Sequence, residues 1–333
     1  MSPLRRPNAA RGGDLFRHSW HPMEPSYIHL YRRGELGRRI EKALSVMAAC
    51  TLCPRACGSN RLKGETGYCR TGRKARISSF NAHFGEEMPL VGRKGSGTIF
   101  LSSCNLRCTF CQNYDISHKE KGVEVVPEQM AAVMTALAER GCHNINFVTP
   151  THVVPQIMEA LPMAIDQGLR IPLVYNCSGY ENADTLQLLD GIFDIYMPDF
   201  KFWKERWAER FCEAPDYRTR AVSAIREMYR QVGDLVMDDE GIAVRGLLVR
   251  HLVMPNGVAG SREIMQFLAG DISSNTYVNV MDQYHPCGTA TRDHLINRRL
   301  TSREYRDAVH AAKEAGLTRL DSRERIPLLM RFL

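Results

Sequence analysis

The chain predicts an α/β fold in which parallel strands alternate with helices. Three observations carry this. Six short runs rich in Ile, Val, Leu, Phe and Tyr recur between residues 98 and 281, separated by stretches of helical periodicity. The runs end on polar or cysteine-bearing motifs, and α/β barrels place their active sites at the C-terminal ends of strands. A compact segment with four cysteines, residues 50–69, precedes the first run and reads as a small appended module. Strands and helices alternating in this way argue for βαβ units with right-handed crossovers.

Residues 1–25 are Arg-rich and lack the apolar core of a secretory signal, which predicts a disordered basic leader. From 27 to 44, apolar Tyr27, Leu30, Tyr31, Leu36, Ile40 and Leu44 recur at roughly helical spacing. Residues 98–103 form the first expected strand. Pro127 sits at a helix first-turn position, followed by Met130, Val133, Met134 and Leu137, and Gly141 ends that helix. Residues 144–149 are the second strand, and Val154, Ile157, Met158, Leu161 and Ile165 mark the next helix. Strand three is 171–176, with 183–189 helical; strand four is 192–197, with a longer helix over 217–231. Residues 247–254 and 277–281 complete the strands. Thr301 and Glu304 form a capping box that opens a last helix ending at Gly316.

The 333 residues are 44% hydrophobic and 24% charged, enough for one large domain with an appendage. Eleven cysteines in a chain this long are too sparse for a disulfide scaffold. Seven of them fall in two short groups, which reads as metal binding in a reducing compartment. No apolar run approaches the roughly 18 residues that span a bilayer. Of the net charge of +7, residues 1–50 carry +5, with nine Lys or Arg against four Asp or Glu. The basic balance therefore sits in the leader, and a nucleic-acid footprint on the core is not expected. A cytoplasmic location follows as the expectation.

Residues 104–111 read CNLRCTFC, with spacing C-x3-C-x2-C, directly after the first expected strand. Three thiolates on one short loop suit a cuboidal iron–sulfur cluster and leave its fourth iron without a protein ligand; four cysteines are usual for such clusters. Zinc in a structural role prefers four closed ligands instead.

This loop resembles the signature of the radical S-adenosylmethionine (SAM) superfamily, with Phe110 where that family carries an aromatic residue before the third cysteine. CTLCPRAC at 50–57, GYC at 67–69, FCQN at 110–113, VTPTH at 148–152, NCSGY at 176–180, MPDFK at 197–201, Arg250-His251-Leu252 and QYHP at 283–286 are similar to the pyruvate formate-lyase activating enzyme-like branch. The likeness runs from about 27 to about 317. It implies a partial (β/α)6 TIM-like barrel, with which the count of six strands agrees, preceded by a small N-terminal cysteine-rich module. The implied division is a leader at 1–25, a helix and metal module at 26–96, the barrel at 97–320 and a tail at 321–333.

The resemblance also implies the cofactors, a [4Fe–4S] cluster on Cys104, Cys108 and Cys111 and SAM bound at the cluster's open iron. One electron then yields a 5′-deoxyadenosyl radical; the cofactors carry the chemistry and the protein orients them. Asn176 and Ser178 occupy the place where activating enzymes hold SAM after the third strand, and Asp199 and Lys201 the place after the fourth. Arg250 and His251 alternate within one strand, so only one faces the interior; Arg250 is the expected one. His285 falls where that family places a histidine near SAM, and Gln112 and Asn113 follow the last cluster ligand. The superfamily's Gly-Gly-Glu after strand two is replaced here by TPTH at 149–152, which makes Thr149, Thr151 or His152 the expected contacts on that side.

Cys50, Cys53, Cys57 and Cys69 can close a zinc site or carry an auxiliary iron–sulfur cluster, and the sequence leaves both open. The implied activity is hydrogen abstraction by the 5′-deoxyadenosyl radical, with a flavodoxin or ferredoxin as electron donor. The implied substrate is a glycine of a glycyl-radical enzyme, and a small molecule or peptide is the alternative. A metal-binding or electron-transfer protein without SAM chemistry is the reading from another class.

Overall fold

The computed structural model describes residues 24–321. The expected leader and tail therefore fall, except for Glu24, Pro25 and Asp321, outside the described residues. The helical stretch expected at 27–44 is two helices, α1 (Ser26–Arg32) and α2 (Glu35–Val46). Gly34 separates them at φ 70°, a conformation costly for any residue with a Cβ. Asp194 ties α1 to the sheet, accepting from Ser26 N at 2.8 Å and Leu173 N at 3.2 Å.

After the cysteine-rich segment come β1 (Ala75–His83), α3 (Met88–Val91), β2 (Ser96–Leu101), α4 (Tyr114–Ser117) and β3 (Val123–Val125). The alternating part follows with α5 (Pro127–Glu139), β4 (Ile145–Val148), α6 (Val154–Asp166), β5 (Leu173–Cys177), α7 (Ala183–Leu188) and β6 (Ile195–Pro198). Then come α8 (Glu205–Cys212), α9 (Tyr217–Val232), β7 (Val236–Met237), β8 (Ala243–Leu252), α10 (Ser261–Phe267), β9 (Tyr277–Met281) and α11 (Ser302–Glu314). Pro127 opens α5 at its first turn, and the box at α11 forms as expected, with Glu304 N donating to Thr301 Oγ1 at 3.2 Å and Thr301 N to Glu304 Oε2 at 3.0 Å.

The six expected strands are β2, β4, β5, β6, β8 and β9, and they pair in parallel in that order. The sheet does not close on itself; β2 turns its other edge to β1, which is antiparallel to it and in turn pairs with β3. The fold is thus a partial TIM-like barrel. Outward-facing Phe147, Tyr175, Phe193 and Tyr196 meet the helices, with Tyr175 and Phe193 edge to face at 4.9 Å. Inward-facing Val174, Ile195, Met197 and Leu248 fill the barrel with Leu90 of α3. Each such side chain fully buried contributes about 1.5–3 kcal/mol. Among the described residues no helix is long and apolar enough to cross a membrane.

Candidate functional site

The loop after β2 carries Cys104, Cys108 and Cys111. Its backbone is bent through two non-glycine residues at positive φ, Ser103 at 76° and Arg107 at 54°, a conformation that persists only where neighbours hold it. Those neighbours are visible. Ser103 N donates to Ile116 O at 2.8 Å, Thr109 N to Phe211 O at 2.9 Å, and Asn105 Nδ2 to Tyr180 O at 2.8 Å. The loop after β9 laces on from the other side, with Thr289 N on Thr109 O at 3.0 Å and the Cys287 thiol on Phe110 O at 3.1 Å. Phe110 is buried, edge to face with Phe202 at 5.8 Å and tilted against Tyr284 at 6.2 Å.

Burial pushes the Cys104 thiol up to about 12 and raises Cys111. The Cys212 thiol, hydrogen-bonded to Cys108, together with burial raises Cys108 well above the ordinary value. Among the described residues no three His, Cys, Asp or Glu side chains converge tightly enough to enclose a metal ion. Cys104, Cys108 and Cys111 are the thiols that would hold a cluster on this loop. Their setting fits an iron–sulfur cluster: Leu106 N points at Cys104 Sγ at 3.3 Å and Ser117 Oγ at Cys111 Sγ at 3.2 Å, donors of the kind that tune cluster sulfurs.

Beside Cys108 lies an ion network built at three strand ends. Lys201 Nζ donates to Asp199 Oδ2 at 2.5 Å, and Arg250 Nε to Asp199 Oδ1 at 2.7 Å. Arg250 NH2 reaches Asn176 Oδ1 at 2.7 Å. Burial alone would raise the Asp199 carboxyl, but Arg250 and Lys201 outweigh it and hold the carboxyl below its ordinary value. Burial likewise opposes the charge on Lys201, and Asp199 and the Cys108 sulfur reverse that effect. Gly179, at φ 76°, lets the loop after β5 lie against this network; a Cβ there would stand 2.4 Å from Asp199 O. Arg250 faces the interior and His251 the opposite side, where its ring bonds Phe200 O and Ser261 Oγ, each at 2.8 Å.

Asn176, Asp199, Lys201 and Arg250 are thus brought together next to the cysteine loop. Ser178 sits at the same rim, its carbonyl accepting from Tyr217 OH at 2.8 Å. Thr149 is half-buried at φ 61°, with its N–H on Asn176 O at 2.8 Å. Thr151 is not brought to the rim: it is fully buried and its hydroxyl donates to Glu181 Oε1 at 2.7 Å. His152 is buried too, bonded to Ser102 O at 2.8 Å. Asn113 is exposed and its carbonyl holds the first turn of α4, while among the described residues His285 Nδ1 meets only Gln283 O of its own loop, at 3.2 Å. A surface groove of about 650 Å³ lies over α7 and α9 near Trp203 and Arg226 and includes none of these residues.

Cys50, Cys53 and Cys69 are buried and Cys57 is exposed. Burial pushes the Cys53 thiol up to about 12 and raises Cys69. At Cys57 burial is outweighed by hydrogen bonds from Ser59 and Tyr68, and its thiol lies below the ordinary value. Four sulfurs within one short segment suit either zinc or a cluster. The module docks on the barrel top through Asn182 Nδ2 to Thr51 O at 2.9 Å and Thr185 Oγ1 to Leu52 O at 2.8 Å.

Sequence reasoning misses Arg55. It lies between two module cysteines, yet its guanidinium donates to Asn105 O at 3.0 Å, to Cys212 O at 2.9 Å, and to Leu106 O and Glu213 O. Its plane lies 3.8 Å over the Tyr68 ring. The module therefore grips the cysteine loop by its carbonyls. Arg55→Ala is expected to cost about 3 kcal/mol, since charged donors to carbonyls contribute about 1.5–3 kcal/mol each. Thermal unfolding and faster proteolysis within residues 104–113 check this. Arg55→Lys should restore little, because an ammonium cannot serve several carbonyls in a plane.

Glu181 is also absent from the sequence reading. Burial pushes its carboxyl up to about 7, against the opposing bonds from Thr151 and Tyr175. The folded chain therefore binds this proton more tightly than the unfolded one, whose carboxyl titrates near the ordinary value of 4.5. Its contribution is fully present below pH ~4.5 and is lost as pH rises through ~7, a penalty of about 3 kcal/mol. Glu181→Gln is expected to raise the Tm at pH 8 and to lose that advantage at pH 5. A Tm difference independent of pH would contradict this.

The family model of the radical SAM superfamily matches residues 98–239. Uncharacterized protein MJ0674 of Methanocaldococcus jannaschii is 32% identical over 292 residues, 85% of this chain and 79% of that protein. Among solved structures, native anSMEcpe with bound AdoMet aligns over 64% of this chain and 57% of its own, at a TM-score of 0.43 and 12% identity. The histidine-tagged form of the same protein aligns over 64% and 55%, with the same score and identity. The chain thus spans less than two thirds of either solved protein.

Proposed function

The chain belongs to the radical SAM superfamily, and on that premise we propose that it is an enzyme that abstracts hydrogen from a glycine of a glycyl-radical enzyme. The observation that carries the radical reading is the three-cysteine loop standing beside the Asp199–Lys201–Arg250 network at one end of the barrel. When bound, a [4Fe–4S] cluster supplies the electron that cleaves SAM to methionine and a 5′-deoxyadenosyl radical. Cys104, Cys108 and Cys111 would hold it.

The remaining steps belong to the chain's own side chains. Lys201 places a cation beside the sulfurs of Cys108 and Cys212, and so favours negative charge there. Arg250 and Lys201 offer cationic donors to the SAM carboxylate, and Asp199 and Asn176 offer acceptors to its amine. Phe110, Phe202 and Tyr284 keep water from the neighbourhood of the cysteine loop. The module's cysteines, as zinc site or auxiliary cluster, would stiffen the segment from which Arg55 reaches that loop.

The activase reading is supported by the open barrel, whose first and last parallel strands, β2 and β9, do not pair with each other. A flavodoxin or ferredoxin would supply the electron. The test is electron paramagnetic resonance after anaerobic incubation of reduced protein and SAM with each glycyl-radical enzyme of the host. A doublet on a partner's glycine is the expected result. Release of 5′-deoxyadenosine with no partner acquiring a radical would move the assignment to a small-molecule or peptide substrate.

A further inference from the structure

Arg61, within the cysteine-rich segment, is 1% exposed. Among the described residues its guanidinium meets no carboxylate: Nε and NH2 donate to Gly72 O at 3.2 and 3.0 Å, and NH1 to Cys50 Sγ at 3.9 Å. A cation taken out of water is costly unless a negative charge lies against it. Of these two partners only the sulfur can carry one.

The backbone around the four cysteines points the same way. The N–H groups of Arg55, Ser59 and Thr71 donate to the sulfurs of Cys53, Cys57 and Cys69, in each case two residues back, and Tyr68 N donates to Cys57 as well. A neutral thiol is a weak acceptor, whereas hydrogen bonds to a charged acceptor are strong. These donors surround sulfurs that interact with one another, Cys50 with Cys53, Cys57 and Cys69, and Cys53 with Cys69. Gly67 closes over Cys57, where a Cβ would stand 2.2 Å from the sulfur. Among the described residues no three such side chains are drawn in as tightly as the ligands of a bound ion; what marks a site is the set of donors around the sulfurs. Four thiolates around zinc(II) leave two net negative charges, one of which Arg61 offsets, while Cys57 is exposed to water. The direct contact between the Cys50 and Cys57 thiols suits two ligands of one ion. Thiolates on separate irons of a cuboidal cluster are held apart by the cluster between them.

We propose that Cys50, Cys53, Cys57 and Cys69 bind a single zinc(II) ion as thiolates, with Arg61 as its buried counter-cation. Binding displaces the thiol protons to solvent and involves no electron transfer. The zinc pins the segment from which Arg55 holds the carbonyls of Asn105 and Cys212. None of this rests on the radical reading, whose iron would sit on Cys104, Cys108 and Cys111, and the two metals are counted separately.

The test is elemental analysis of the full chain, produced with iron and zinc both supplied and purified anaerobically. About one zinc per chain should accompany about four irons and about four acid-labile sulfides. Cys53→Ser should lose the zinc and keep the iron. Arg61→Met should yield its zinc to a competing chelator, with an affinity lower by about 10–100-fold, as when a partner outside the ligand set is removed. Arg61→Lys, which keeps the charge, should recover most of that loss. Less than about half an equivalent of zinc in the wild type, or about eight irons per chain in place of zinc, overturns the inference, and that measurement needs no variant to fold. Zinc retained in full by Cys53→Ser marks adventitious metal and overturns it too. An Arg61→Met affinity within about twofold of the wild type overturns the role of Arg61. Zinc present with no iron on the three-cysteine loop would leave the zinc site standing and overturn the radical reading alone.

Discussion

Cys108→Ala is expected to leave a folded protein that no longer retains iron on the three-cysteine loop. Cys108 is 8% exposed and sits against Cys212 among apolar neighbours, so truncation leaves a cavity about one sulfur in size and costs on the order of 1 kcal/mol. Two remaining thiols, each raised by burial, do not hold a cuboidal cluster. SAM cleavage should fall by more than the ~100-fold that loss of an outer partner costs a metal site. Iron and acid-labile sulfide per chain are the direct readout. Cys142→Ala, equally buried but on the helix side of the sheet near Leu137, should keep its full iron content. Cys212→Ala tests whether the neighbouring thiol is only a contact; retention of iron is the expected outcome. Equal loss in all three would mean that iron is not held where the spacing implies.

Arg250→Met has the second-largest expected effect, and it appears in stability as well as in binding. The guanidinium bridges Asp199, Asn176 and Glu86 inside the barrel. Removing one partner of a buried ion network leaves the others charged and unpaired, which costs about 3–5 kcal/mol. At about 2–4 °C per kcal/mol for a domain of this size, the Tm should fall by roughly 6–20 °C. Arg250→Lys should recover less than half of that loss, since a point charge cannot serve an amide oxygen and two carboxylates together. Affinity for SAM should fall in parallel, because Asp199 loses the partner that fixes its carboxylate. A Tm change below about 1 °C in Arg250→Met would show that the network contributes nothing to the fold.

Much of the fold is legible in the chain because parallel strands buried on both faces read as continuous apolar runs. All six were expected within a few residues of where they lie; the period of two put Arg250 and His251 on opposite faces, and the resemblance pointed to Arg250 as the inward one. β1 was not foreseen. Its residues, ARISSFNAH, hold only two large apolar side chains, and a register shift between Ile77 and Ser79 breaks the alternation that would have marked it. The cysteine loop was visible as a local pattern of three thiols within eight residues. Arg55, Cys212 and Glu181 were not, since each acts through contacts between elements far apart in sequence, as Arg55 does on Glu213. Spacing rules are silent about such pairs. Thr151 shows the reverse case, a motif residue whose hydroxyl is committed to a buried acid that the motif does not contain.

The most direct test of the account is release of 5′-deoxyadenosine and methionine by anaerobically reconstituted, dithionite-reduced protein given SAM. The account predicts release by the wild type, in equal amounts of the two products, and none by Cys108→Ala. A wild-type protein with a full complement of iron that releases neither product, and whose reduced spectrum does not change when SAM is added, would contradict it.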